Sequence, residues 1–356
     1  MPSRPRSRTT SRRTTSRPTT TTATTTTTTT PAAFPHPLIY GTMESTKADA
    51  HLVTAGVCAA VRAGYRALDL AEHYESSKGG HIGAALDQLV AEVPRSELWL
   101  THKIDGMPTG EYAAVKARVD AMLALAHTDY LDLLLIHYPM PRGTDLSGDP
   151  AAISTAANFE AFAETIGDAW TNMVKLKEEG LVRHIGVSNF YRQHLDELAK
   201  HAAADGPTAC FANEIFVDAA HPETSLVEYC QGQGMQVMAY RPTAFCMNLG
   251  LLDGVTDALQ ATAEDRGLGS VQQLVLRTLC LRGVAPITGT RDPGHMASNI
   301  EAATSIDRGA GVEGGADAGA EATADLALVE EQAEMVDMMG GCDEYAAAFA
   351  SMGRPE

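Results

Sequence analysis

The sequence predicts an α/β protein, a single-domain (β/α)8 TIM barrel that follows a disordered N-terminal tail. Short apolar runs alternate with amphipathic helical patterns about eight times across residues 38–307, which is typical of a closed parallel barrel. The run at residues 130–137 is almost continuously apolar, as expected for a strand that is covered on both faces. An open dinucleotide-binding sheet would show GxGxxG after its first strand, and the residues that follow the first predicted strand lack it.

Residues 1–36 form the predicted tail. Residues 1–33 are mainly Thr, Ser, Arg and Pro, with a nearly continuous Thr tract at 19–30, so they have little apolar surface to bury. An Arg- and Ser/Thr-rich segment without acids is also typical of organelle transit peptides, whereas a secretory signal needs an apolar core. Two alternatives stay open: a cytoplasmic protein with a disordered tail, or a plastid or mitochondrial protein whose residues 1–33 are a transit peptide.

The predicted strands are short and apolar, and amphipathic helices separate them. The strands span residues 38–43, 65–69, 98–103, 130–137, 184–189, 209–216, 236–240 and 284–288, with 303–307 as a last strand. The helices span residues 48–63, 82–92, 112–126, 158–179, 193–203, 224–232, 270–280 and 295–303. The first of these helices ends at Gly64, which suits a left-handed C-cap.

The end of the chain is less regular. Residues 308–323 are rich in Gly, Ala and acids and are predicted to be a flexible insertion. An amphipathic helix is predicted over residues 324–339. The barrel domain is therefore assigned to residues 37–340, and residues 341–356 to a C-terminal tail.

Charge and cysteine content exclude several classes of protein. The formal net charge is −18, and six of the 27 basic residues fall within residues 1–43, which hold no acid. The remainder thus carries 21 basic against 45 acidic residues, so we expect it to repel nucleic acid and anionic membranes. The six Cys are scattered without a CxxC pair, which predicts reduced thiols and neither a disulfide framework nor a metal site.

Polar residues stand at the C-terminal ends of the predicted strands, where a barrel of this kind has its active site. They are Asp69, Lys103, His137, Ser188, Asn189, Glu214, Tyr240, Thr288 and Thr290. Tyr74 follows the second strand by five residues. A Tyr donates a proton to a carbonyl at neutral pH when a cation beside it lowers its pKa, and Lys103 is a cation that Asp69 could hold. His137 could hydrogen-bond a carbonyl oxygen and orient it.

Each residue also has a simpler interpretation. Asp69 could be a helix cap, Lys103 a surface charge and His137 a satisfied core histidine. Tyr74 could anchor a loop, Tyr240 could only pack, and Ser188 and Asn189 could cap the next helix. Asp69, Lys103 and His137 stand at successive strand ends, and Tyr74 follows the first of these ends. This arrangement favours a shared site.

The chain resembles the aldo-keto reductase family in several ordered motifs across residues 37–305. One is the segment 64–71, and a second runs from 170–174 into 180–190. Segments 131–139 and 239–242 match as well. The resemblance implies a (β/α)8 barrel that reduces aldehydes or ketones to alcohols with a nicotinamide cofactor. NADPH is favoured and NADH is possible.

The resemblance also implies a role for individual residues. Tyr74 is the general acid, Asp69 and Lys103 tune it, and His137 positions the carbonyl. Ser188, Asn189 and Glu214 hold the nicotinamide carboxamide, and Tyr240 stacks on its ring. The resemblance further places Thr290, Arg291 and Asn299 at the adenosine end and Tyr138 beside the substrate.

Three departures from the family pattern stand out. Glu214 replaces the usual Gln, and a carboxylate accepts from an amide NH2 but cannot donate to its oxygen. Gly289 and His295 stand where many NADPH-preferring members have Lys and Arg, so Arg291 is the candidate ligand of a 2′-phosphate. The segment 75–81 is longer than the usual pattern. The departures leave a second function open, a nucleotide-binding regulatory subunit with little turnover. For either function we expect a monomer; the reductase has a small carbonyl substrate and needs neither nucleic acid nor a membrane.

Overall fold

Eight parallel strands form a closed barrel in the computed structural model of the chain. The strands are β1 (Ile39–Gly41), β2 (Ala67–Asp69), β3 (Trp99–Ile104), β4 (Leu131–Ile136), β5 (Val182–Ser188), β6 (Ala212–Phe216), β7 (Gln236–Tyr240) and β8 (Val284–Thr288). Each strand pairs with the next along the chain, and β8 closes the barrel on β1, with Ile39 opposite Ile287. The predicted (β/α)8 fold is therefore confirmed.

The structure describes residues 34, 36–43, 47–140, 156–203, 206, 208–219, 221–244, 246 and 255–304. The chain divides into a unit of Met1–Thr30 and a unit of Pro31–Glu356, and every described residue belongs to the second. The predicted tail up to residue 33, the insertion at 308–323, the closing helix and the C-terminal tail lie outside the described residues.

Ten α-helices are seen in the described part of the chain. They are α1 (Val53–Ala63), α2 (Glu75–Lys78), α3 (His81–Leu89), α4 (Tyr112–Leu125), α5 (Ala156–Glu178), α6 (Arg192–Leu198), α7 (Thr224–Gly232), α8 (Val255–Asp265), α9 (Val271–Leu281) and α10 (Pro293–Thr304). A 3₁₀ turn over Lys47–Leu52 leads into α1. Gly64 ends α1 with φ 114°, the left-handed C-cap that the sequence predicts. Across the described ranges, no helix has the length and apolar character needed to traverse a bilayer.

Three sequence-based predictions differ from the observed elements. The strand predicted at 303–307 is wrong at residues 303 and 304, which end α10, and its other residues lie outside the described ones. Neither α2 nor α8 was predicted from the sequence. A four-residue helix is too short to show a helical period.

The core has two layers, as expected for a barrel whose interior is filled by side chains. The larger layer lies between the strands and the helices and contains Trp170, Phe162 and Tyr65. The smaller layer fills the barrel, with Ile39, Leu133 and Met238 among its members. Phe34 belongs to this inner layer although it falls within the predicted tail.

Candidate active site

A cavity of about 520 Å³ opens at the C-terminal ends of the strands. Nine of the residues that the sequence analysis singles out line it. They are Asp69, Tyr74, His137, Tyr138, Ser188, Asn189, Glu214, Tyr240 and Thr288. Lys103, on β3, lies directly behind this wall with a side chain that is only 1% exposed. Parallel strands bring their C-terminal ends to one rim, so residues distant in sequence converge there.

Lys103 is held between two carboxylates. Its Nζ donates to both oxygens of Asp69 at 2.5 Å, and to Oε1 and Oε2 of Glu214 at 3.0 and 3.3 Å. All three side chains are buried. One cation thus faces two acids in a medium that screens charge poorly. The surface-charge interpretation of Lys103 is excluded by this burial.

The pKa values of this cluster follow from its burial and charge. Burial alone would lower the pKa of Lys103, but Asp69 and then Glu214 outweigh it and raise that pKa well above its usual value. Burial, followed by the nearby charge of Asp69, raises the pKa of Glu214 to about 8, although Lys103 opposes the rise. A protonated Glu214 carries a hydroxyl that donates a hydrogen bond, which the carboxylate form does not.

Tyr74 precedes α2 and is 8% exposed. Lys103 Nζ lies 5.6 Å from the centre of its ring. Burial raises the pKa of Tyr74 well above its ordinary value, and Lys103 opposes this rise. Lys103 thus acts to lower the pKa of Tyr74, as the sequence suggested, but burial raises that pKa by more. Tyr74 holds its proton at neutral pH as a consequence.

His137 follows β4 and contacts two groups that the sequence did not single out. Its Nδ1 lies 2.9 Å from Oδ1 of Asp105, and Nδ1 of His73 lies 2.9 Å from the same oxygen. The ring of His137 stacks between those of His73 and Tyr138, with centroid distances of 4.9 and 4.6 Å. Burial lowers the pKa of His137 to about 4.

The sequence did contain a signal for the two missed residues. Asp105 stands two positions after Lys103, and His73 directly precedes Tyr74. The nitrogen and oxygen ligand atoms of His73, Asp105 and His137 all lie within 4.8 Å of one another. Within the described ranges this is the one group of such residues close enough to hold a metal ion. The hydrogen bonds of His73 and His137 with Oδ1 of Asp105 account for this close spacing.

Ser188, Asn189 and Tyr240 also line the cavity. Asn189 adopts a left-handed backbone with φ 61°. Its Nδ2 donates to the His137 carbonyl at 2.9 Å, and its Oδ1 accepts from the Tyr240 hydroxyl at 2.8 Å. Ser188 Oγ donates to the Glu214 carbonyl at 2.9 Å. These contacts fix amide, hydroxyl and aromatic groups along one side of the cavity.

The three residues expected at the adenosine end do not line this cavity, which extends as far as Gly289. Thr290 Oγ1 accepts from the Asp292 amide at 3.2 Å, and Arg291 is exposed. Asn299, on α10, hydrogen-bonds the Tyr65 hydroxyl. Their cofactor roles stay predictions.

Comparison with known proteins gives a consistent result. The model of the Aldo/keto reductase family matches residues 37–307. A D-galacturonate reductase from Fragaria ananassa is 30% identical over 266 residues, which cover 73% of this chain and 79% of the relative. A glyoxal reductase from Bacillus subtilis (strain 168) is 33% identical over 234 residues, covering 66% and 71%.

Solved structures agree with the family match. An aldo-keto reductase from Bombyx mori, in complex with NADP, aligns with a TM-score of 0.64 at 26% identity and covers 83% of this chain and 88% of its own. The aldose reductase from Schistosoma japonicum aligns with a TM-score of 0.60 at 26% identity and covers 80% and 87%.

Proposed function

Because this chain belongs to the aldo/keto reductase family, we propose that it is an NADPH-dependent oxidoreductase that reduces a small aldehyde or ketone to an alcohol. The observation that carries the proposal is the convergence of Asp69, Tyr74, Lys103 and His137 at one end of the barrel. The relatives reported above are reductases by name. No observation favours the alternative of a regulatory subunit with little turnover.

The walls of the cavity fit the nicotinamide end of the cofactor. The amide of Asn189 and the hydroxyl of Ser188 complement a carboxamide in hydrogen-bonding type. A protonated Glu214 would offer both a donor and an acceptor, as the usual Gln does. The ring of Tyr240 lines the cavity and offers a face for stacking. When bound, the reduced nicotinamide supplies a hydride to the carbonyl carbon.

Tyr74 then supplies the proton. As the carbonyl carbon gains the hydride, negative charge develops on its oxygen. The O–H bond of Tyr74 breaks and the O–H bond of the alcohol forms, which leaves a tyrosinate. The ammonium of Lys103 stabilises that charge, and Asp69 fixes the position of Lys103. Burial keeps water from competing for the developing charge.

The proposal is tested by turnover. Purified protein with NADPH or NADH and a panel of aromatic and aliphatic aldehydes and ketones should lose absorbance at 340 nm. Tyr74→Phe should lower kcat by ~10²-fold or more, because the general acid is removed. Binding of NADPH, followed by fluorescence quenching, should be retained in this variant.

Tyr130→Phe is the matched control. Tyr130 precedes β4 at the other end of the barrel, where Arg95 and Arg183 stack on its ring. Its kcat should equal that of the wild type. If folded wild-type protein binds NADPH tightly but oxidises it in the presence of none of these carbonyl compounds, the reductase proposal is wrong and the regulatory subunit is favoured.

The choice between NADPH and NADH is part of the same proposal. Gly289 provides no cation at the rim of the cavity, and the carboxylate of Asp292 caps the start of α10 by accepting from the His295 amide at 2.9 Å. Arg291 is the nearby cation that we assign to a 2′-phosphate. Arg291→Ala should therefore weaken the binding of NADPH and leave the binding of NADH unchanged, as measured by the quenching titration.

A further inference from the structure

Asp105 and His73 both contact His137, Asp105 at Nδ1 and His73 through a stacked ring that also lines the cavity. Asp105 does not line the 520 Å³ cavity that His137 lines. It lines a second cavity of about 660 Å³ between β3 and the helices, together with Glu72, His102 and Arg118. Glu72 Oε2 accepts from the Asp105 amide at 2.9 Å, and Arg118 donates to the Asp105 carbonyl at 2.7 Å. The carboxylate of Asp105 is thus held in place against Nδ1 of His137.

We propose that Asp105 is a positioning residue that keeps a proton on Nδ1 of His137, so that neutral His137 presents Nε2 to the substrate as a hydrogen-bond acceptor. Donation from His137 to a carbonyl then requires the imidazolium form. This inference rests on the proposed carbonyl reductase and describes how its histidine behaves.

The tautomer follows from the chemistry of the contact. Burial opposes ionisation of Asp105, but the hydrogen bonds from His137 and His73 outweigh it and hold the pKa of that carboxyl well below its usual value. An ionised carboxylate only accepts hydrogen bonds, so Nδ1 must donate. A neutral imidazole has one N–H, and Nε2 is therefore unprotonated. Since Nδ1 faces Asp105, the ring turns Nε2 towards the substrate cavity.

Burial, with Lys103 and His73, keeps His137 neutral near pH 7. Lys103, His73 and Asp105 act on its charge, and the rings of Tyr74 and Tyr138 lie beside them. Burial is the largest cause of the lowered pKa, Lys103 and His73 add to it, and Asp105 opposes it. The protonated fraction of His137 therefore falls as pH rises through about 4.

Reduction should respond to the protonation of His137. A carbonyl oxygen accepts hydrogen bonds only, so the neutral His137 does not assist its reduction and the imidazolium does. Wild-type kcat/KM for reduction should then rise by at least ~5-fold between pH 7 and pH 5, as expected when a donor to the reacting oxygen is gained.

Asp105→Asn tests the proposal because the side chain keeps its size. The amide NH2 of Asn donates to an unprotonated Nδ1, which allows the neutral Nε2–H tautomer. The increase in kcat/KM between pH 7 and pH 5 should shrink to less than ~2-fold. Nitrogen-15 NMR of His137 at pH 7 should report Nδ1–H in the wild type and Nε2–H in the variant. The proposal is wrong if His137 carries its proton on Nε2 in the wild type, or if the kcat/KM of the variant rises between pH 7 and pH 5 as much as that of the wild type.

Two further variants separate tautomer control from mere support. His73→Phe keeps a ring beside His137 but removes the second hydrogen bond to Asp105 and the influence of His73 that lowers the pKa of His137. The increase in kcat/KM on acidification should therefore begin at higher pH. Glu72→Gln perturbs the support of Asp105 but keeps its carboxylate, so His137 should remain Nδ1–H. If Glu72→Gln and Asp105→Asn change the tautomer equally, the proposal is wrong. The NMR readout needs no turnover, so its failure is distinct from failure of the proposed reductase.

Discussion

Glu214 adds a second carboxylate to the buried centre of the site, where Lys103 supplies a single positive charge. Lys103 binds Asp69 more closely than Glu214, at 2.5 Å against 3.0 Å. The second carboxylate is therefore the one that gains a proton, in accord with its raised pKa. Where the resemblance predicts a Gln, protonated Glu214 offers a donor and an acceptor at lower pH, as Gln does, and the carboxylate adds a negative charge at higher pH.

Glu214→Gln should stabilise the protein at alkaline pH. Unfolded Glu has a pKa near 4.5, and the folded value is about 8, so wild-type stability falls as pH rises between these values. The amide does not titrate. The Tm of the variant should equal that of the wild type at pH 5 and exceed it by at least ~2 °C at pH 9, measured by calorimetry.

Glu72→Gln is the control with the opposite sign. The hydrogen bonds from Arg118 and the Asp105 amide lower the pKa of Glu72 although burial opposes them. This variant should be less stable than the wild type at neutral pH, with the difference shrinking as pH falls through the Glu72 titration. A pH-independent Tm difference for Glu214→Gln would contradict a Glu214 pKa near 8.

At this scale the sequence predicts which residues meet and not how they are solvated. The convergence of Asp69, Lys103 and His137 follows from parallel strands alone, because their C-terminal ends share one rim. Burial of Tyr74 depends on the packing of all elements, so the sign of its pKa shift could not be predicted. The orientation of Asp105 depends on the backbone after β3, which no residue pattern specifies.

The strand β5 illustrates how an element fixes its neighbours. A Cβ built at Gly186 would lie 2.5 Å from the Ala212 carbonyl oxygen and 2.8 Å from Leu135 Cδ2. The carbonyl belongs to the backbone of β6, so relief requires a shift between two strands. This close approach places Ser188 and Glu214, opposite each other in the β5–β6 register, at the wall of the site.

Gly186→Ala should lower the free energy of unfolding by ~2 kcal/mol, the cost of overpacking a core. It should also lower kcat, because Ser188 and Glu214 move. Gly232→Ala is the control, since nothing lies within 4 Å of a Cβ there. The control should change stability by less than ~0.5 kcal/mol in urea unfolding. Equal stabilities for the two variants would contradict the close approach of β5 and β6.

Element boundaries were predicted best where one residue type has one conformational use. Gly64 and Gly180 both have positive φ and follow predicted helices. The strand predicted at 303–307 covers only five residues, too few for their period to distinguish a strand from a helix end. Closure of the barrel by β1 and β8 is a long-range pairing that sequence pattern alone does not locate.

At the scale of the molecule, Phe34 closes the inner layer of the barrel. It is 5% exposed, and its ring meets that of Trp99 edge to face at a centroid distance of 5.1 Å. Its amide donates to Gln236 Oε1 at 2.7 Å. Trp99 and Gln236 begin β3 and β7, so Phe34 covers the N-terminal end of the barrel, opposite the site.

Phe34→Ala should therefore lower stability without changing the chemistry. Loss of a buried aromatic ring costs ~3 kcal/mol, and the urea midpoint should fall accordingly, while kcat and KM stay within ~2-fold because the strand ends that carry the site are at the other rim. A chain that begins at Ala32 is the control: the removed residues have little apolar surface, so its midpoint should match the full chain. If this shortened chain loses as much stability as Phe34→Ala, the stabilising contact lies upstream of Phe34. An unchanged midpoint in Phe34→Ala would mean that the inner layer is complete without this ring.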